Sequence, residues 1–147
     1  MNALADDDAR AETGLSVDNR ESALLVVDQL KVAAGPLIPN DATIKGVFVD
    51  VDRSTGSTCI MGREIALRLA NEAVARTKAL SSVWNEPARF GDANDLWGGG
   101  PIAAAAFSNA STAVTVGLHF AGDKLSCGAS MRFGRVDVVH VSVAWCP

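Results

Sequence analysis

The chain contains no tyrosine, and aromatic residues make up only 5% of it. Proteins that hold single-stranded nucleic acid stack bases on aromatic rings, and this sequence offers few. A basic cluster is also missing. The 13 Lys and Arg are scattered among 17 Asp and Glu, for a net charge of −4, whereas phosphate backbones are held by bunched cations. No nucleic-acid partner is expected. No apolar run approaches the roughly 18 residues of a membrane-crossing helix, so no membrane partner is expected either. There is no Cys-x-x-Cys, no Gly-x-Ser-x-Gly elbow, no Gly-x-x-x-x-Gly-Lys-Ser/Thr loop and no His-Glu-x-x-His. Those absences remove the common redox, serine-hydrolase, nucleotide and zinc-protease readings, and neither a metal nor a cofactor is expected.

Cysteine is scarce and odd in number: Cys59, Cys127 and Cys146 stand far apart. A secreted domain of this size usually pairs its cysteines, so reduced thiols and a cytoplasmic location are expected. No His lies near any of the three in sequence, which disfavours a thiol nucleophile.

What is present is a globular composition. Of 147 residues, 48% are hydrophobic and 20% charged, which suits one domain able to bury about two thirds of its unfolded surface. Residues 1–14 are read as a flexible acidic arm, carrying Asp6-Asp7-Asp8 and Glu12, and 15–147 as a single domain. Met1–Glu12 has no basic start, apolar stretch or cleavage-like site, so a signal peptide is not expected there.

Periodicity is clearest from Thr112 to Cys146. Val114, Val116, Leu118 and Phe120 share one parity; Leu125, Cys127, Ala129, Met131 and Phe133 share the next; Val139, Val141, Val143 and Trp145 form a third set. Alternation of this kind predicts strands with one face on a core, and the turn-sized links Ala121-Gly122 and Gly134-Arg135 predict a three-strand antiparallel meander. Upstream, Asp18 and Glu21 make a capping box for a helix to about Ala34, stopped by Gly35-Pro36. Ile44–Val51 and Thr58–Met61 read as a hairpin. The first of these strands is apolar in both parities, as an interior strand or one covered in a homo-oligomer would be. From Gly62 to about Leu80, Ile65, Leu69, Ala73 and Leu80 form a helical stripe, with Glu64, Arg68, Glu72 and Arg76 at i,i+4 spacing opposite. Ser81–Pro101 is irregular, and Ile102–Phe107 is one short helix. The predicted class is α+β: an antiparallel sheet of hairpin and meander packed on one long helix.

Four places could carry chemistry. Gly98-Gly99-Gly100 beside Trp97 could offer bare N–H groups to an oxyanion, or serve as a turn. The helix start at Gly62 could aim N–H groups at a carbonyl, with Glu64 or Glu72 as general base, or the ladder could be solvated charge. His119 and His140 lie off the core parity and could be neighbours on an outer surface. Trp84 and Trp97 could line an apolar pocket against the sheet, or be core.

Gly122-Asp123-Lys124-Leu125, then Ala129, then Gly134-Arg135 and the alternation Val139, Val141, Val143 resemble the closing strands of the hotdog-fold thioesterases. Val114-Thr115-Val116-x-Leu118-x-Phe120 is similar to the strand before them. The resemblance implies an acyl-thioester hydrolase or acyl-CoA-binding protein. In it the N–H near Gly62 polarises the thioester carbonyl, Glu64 or Glu72 activates water, and an acyl or aromatic ligand lies between subunits of a homo-oligomer. Trp97, Gly98, Gly99, Gly100 and His119 are the candidate substrate contacts. Two other readings stand beside it. One is a non-catalytic oligomeric small-molecule-binding module. The other is a small trimeric amide or imine hydrolase using Arg53-Ser54-Thr55-Gly56 at a subunit boundary.

Overall fold

The computed structural model describes residues 11–21, 25–30, 38–55, 57–70, 72–107, 112–122 and 124–147. Eight strands run in the order β1 (Ala11–Leu15), β2 (Leu25–Leu30), β3 (Thr43–Thr55), β4 (Ile60–Arg68), β5 (Arg76–Ala79), β6 (Ala88–Phe90), β7 (Thr112–Phe120) and β8 (Arg132–Cys146). A 3₁₀ turn at Ala104–Phe107 precedes β7, and a one-turn helix, α1 (Lys124–Cys127), precedes β8.

The strands form two antiparallel four-stranded sheets. The front sheet has the order β1-β8-β3-β6 and the back sheet β2-β7-β4-β5. Each connection crosses to the other sheet except β4 to β5. This alternation, with first and last strands paired, is the topology of a double-sheet jelly roll. Val47, Val49, Val139 and Val141 of the front sheet face Ile65, Leu67, Val116 and Leu118 of the back sheet, all fully buried. Such interdigitation of two inner faces makes the core of a sandwich.

The expected α+β, hotdog-like class is therefore corrected. No long helix occurs among the described residues, and the stretch from Gly62 to Leu80 holds β4 and β5. A β-bulge explains the misreading. Gly62 pairs with Leu118 and Glu64 with Gly117, so Arg63 is an extra residue in β4. Inward residues are even before it (Ile60, Gly62) and odd after it (Ile65, Leu67, Leu69). A parity switch of this kind leaves apolar residues three and four apart, which imitates a helical stripe. The predicted helix from Asp18 gives way to β2 at Leu25–Leu30; its parts at 22–24 and 31–34, and the stop at 35–36, lie outside the described residues.

The hairpin and the meander are also corrected. β3 and β4 belong to different sheets, as do β7 and β8, and the supposed middle strand is replaced by α1 and a crossing segment. Of the two apolar parities of β3, Ile44 and the set Val47, Val49 and Val51 are one face interrupted by an extra residue, Lys45, while Phe48 lies on the other face beneath Arg89. Asp137 is the extra residue in β8. The short helix at Ile102–Phe107 appears as the 3₁₀ turn at Ala104–Phe107. β1 begins at Ala11, inside the stretch read as the acidic arm; residues 1–10 lie outside the described residues.

Cys59, just before β4, is joined by a disulfide to Cys127 in α1, with Cα atoms 6.1 Å apart. Cys146 is free. Gly122 stands where a side chain would collide with the Cys127 sulfur. The reduced-thiol expectation failed because the partners are 68 residues apart in sequence; only the sheet-to-sheet crossings bring them together. No described helix is long and apolar enough to cross a membrane.

A candidate binding cleft at the end of the back sheet

The inward parity of β7 sends Val116, Leu118 and Phe120 into the core and turns His119 to the outer surface. His119 pairs with Met61 of β4 on one side and bridges to Glu21 on the other. The Phe120 N–H donates to the Arg20 carbonyl at 2.7 Å, and the Ala121 N–H donates to the Cys59 carbonyl at 2.9 Å. Three chain segments are thereby laid side by side.

The β4 bulge supplies the remaining group. Arg63 lies across Gly117, where an added side chain would meet its Nη2 at 3.0 Å and its Nε at 3.1 Å. Bare backbone there lets the guanidinium lie flat over β7 and donate from Nη1 to Glu21 Oε2 at 2.7 Å. Its Nη2 donates to Glu64 Oε1 at 3.2 Å. Arg20 donates to the Gly122 carbonyl at 3.1 Å. Arg20, Glu21, Arg63, His119, Phe120 and Ala121 enclose an open cleft of about 540 Å³. His119 Nδ1 is buried and has no hydrogen-bond partner among the described residues.

Of the residues expected to form a site, Gly62, Glu64 and His119 are brought to this end of the back sheet. Their roles change. Gly62 faces the core within a strand, and its N–H is taken by the Ser82 carbonyl at 3.0 Å. Glu64 is paired with Arg63. Neither is placed at a helix start.

Glu72, Trp97 and Gly98–Gly100 gather elsewhere, around Arg76. That arginine is 9% exposed. It binds the Glu72 carboxylate and donates from Nη1 to the carbonyls of Leu96 at 2.6 Å and Gly100 at 2.8 Å. A side chain at Gly99 would strike its guanidinium. The hydrogen bond to Arg76 holds the Glu72 carboxyl below its ordinary range, and Glu72 raises Arg76 in turn. The triglycine is thus the saddle over a buried cation. Lys78 pairs with Asp95 at 2.5 Å and stands 5.3 Å from the centre of the Trp97 ring. Trp97 has a φ of 58° and sends its indole N–H to the Val47 carbonyl at 3.0 Å. Trp84 is fully buried and donates to the Arg135 carbonyl at 2.9 Å. Both tryptophans are buried in the core.

His140 lies on the front sheet, opposite Asp50 of β3, so the two histidines face opposite sides of the sandwich. A smaller depression of about 410 Å³ there includes His140, Asp52 and the Asp50–Arg89 pair. Arg53 points inward, its guanidinium 4.5 Å from the Trp84 ring and 5.7 Å from the Phe90 ring. Its Nε donates to the Glu86 carbonyl. Burial lowers its pKa and Glu86 partly offsets this. It faces the core, and Gly56 lies outside the described residues. No cluster of three or more His, Cys, Asp or Glu suited to a metal occurs among the described residues.

Sequence reasoning missed Arg20, Glu21 and Arg63 as site residues. The Arg63–Glu21 pair is 42 residues apart, and only a paired register could have joined them. No family model, no curated protein and no solved structure matches the chain.

Proposed function

We propose that this protein is a non-catalytic binding module of jelly-roll form, and that the His119 cleft takes a small polar molecule. The observation that carries this reading is the convergence of Arg20, Arg63 and His119 on one open cleft of about 540 Å³. Arg63 and Arg20 add donors in the same wall, and Phe120 and Ala121 add backbone and apolar surface. That mixture of a few convergent polar groups in an open cleft suits recognition of a small polar molecule.

Catalysis is less well supported. Glu21 and Glu64 are both engaged by Arg63, which leaves no free carboxylate base beside the histidine among the described residues. The thioesterase reading drew its base and its carbonyl donor from a helix start at Gly62, and those residues stand in β4 and the β4–β5 connection. The Cys59–Cys127 bridge favours an oxidising compartment over the cytoplasm, because disulfides persist mainly where thiols are not kept reduced. The test is a screen of polar fragments against the ¹⁵N-labelled protein. Ligands should move the amide signals of Met61, Arg63, His119 and Ala121 together, and His119→Ala should abolish the response. Fragments that bind only at the Asp50–His140 depression would move the site to the front sheet and sink this reading.

A further inference from the structure

Resting on the binding reading of the His119 cleft, we infer that its ligand carries an anionic group, a carboxylate or a phosphate, and that Glu21 occupies that group's place in the empty protein. Among the residues lining the cleft, two cations, Arg20 and Arg63, face one carboxylate, Glu21. Among the described residues the Glu21 side chain has one hydrogen-bond partner, Arg63 at 2.7 Å, and it is 67% exposed. The second carboxylate on Arg63 differs. Glu64 lies outside the cleft lining and its side chain is 36% exposed, packed against Gly117. Arg63 is therefore fixed from behind by Glu64 and presents its Nη1 edge forward to an exchangeable acid.

An exposed ion pair of this kind contributes little to stability, so an incoming anion displaces Glu21 at small cost. It then gains a charge-assisted bond from a guanidinium already oriented, which is stronger than a neutral one. Arg20 lines the same cleft and stands ready for its second polar atom. A neutral hydroxylated ligand lacks the charge to displace Glu21 and would leave the ion pair closed.

The experiment compares sodium acetate, inorganic phosphate and the neutral acetamide, each titrated into the intact, disulfide-bonded protein and followed by amide shifts at Met61, Arg63 and His119. Glu21→Gln should bind both anions about fivefold more tightly, the release of a roughly 1 kcal/mol competitor. Arg63→Gln should lose anion binding by more than about tenfold, with Arg63→Lys between the two because it keeps charge without the planar fork. Acetate binding more tightly than phosphate assigns a carboxylate ligand, and the reverse order a phosphate. If acetamide binds as well as acetate, or if Glu21→Gln leaves anion affinity unchanged, the anion assignment is overturned while the cleft remains a binding site. If none of the three probes moves those amides in any variant, the assignment falls, and a negative fragment screen with it shows that the binding reading has failed too.

Discussion

Arg76 is the side chain on which the long β6–β7 connection hangs. It is buried, bonded to one carboxylate and to two main-chain carbonyls of that connection. Removing one member of a buried ion pair typically costs about 3–5 kcal/mol, so Arg76→Met should lower stability by that order in urea unfolding. Its partner gives a pH signature. Glu72 and Asp95 both have folded pKa values below their ordinary ones. At Asp95 burial opposes ionisation, but the Lys78 ammonium and the Trp97 N–H outweigh it. A carboxyl depressed by folding contributes stability above its unfolded pKa and loses it as pH falls through the folded value. The urea midpoint should therefore fall as pH drops below about 4.5, and Arg76→Met should flatten the Glu72 share of that loss. A midpoint that stays constant from neutral pH into the acid range would contradict this. The Glu72–Arg76 partnership was legible from its i,i+4 spacing, yet it forms between strands and not on a helix. Spacing found the pair because four residues of irregular chain can bring two long side chains together as a helical turn does.

At the scale of elements, the bulges decide what could be read. β7 has no extra residue against β4 beyond the bulge in β4 itself, and its inward set was visible at once. β3 and β4 each carry an extra residue, and the parity breaks made β3 look two-faced and β4 helical, whereas in β8 the extra residue Asp137 precedes the set Val139, Val141 and Val143, which was read as a strand. A one-residue shift moves every later side chain to the other face. Arg63→Gln, which keeps the chain length, should leave stability within about 1 kcal/mol of wild type. Deleting Arg63 should cost more than about 5 kcal/mol, because either Ile60 and its neighbours or Ile65, Leu67 and Leu69 would turn to solvent. Thermal unfolding of the two variants checks this. Equal effects would mean that β4 has no fixed register.

Across the whole molecule, the strands were partly legible and their allocation to sheets was not. Strand alternation depends on nearest neighbours, whereas sheet membership depends on pairings such as Ala11 with Val136, which join the two ends of the chain. The same reason hid the Cys59–Cys127 bridge and the Arg63–Glu21 pair. The bridge closes a loop with a sequence separation of 68, for which the loss of unfolded-chain freedom corresponds to about 4 kcal/mol. Unfolding in urea with and without reductant should show a stability difference of that order, and no difference would mean that the two thiols are not joined. His119 was singled out by its parity alone, since a polar residue on the outer face of a strand is not explained by packing. Its partners came only from the assembled sheet. The account turns on that assembly, and a crystal structure after soaking with a binding fragment tests it most directly. Ligand density should lie between Arg20, Arg63 and His119, with a polar atom within hydrogen-bonding distance of Arg63 Nη1. Density confined to the opposite face, with this cleft empty, would contradict that assembly.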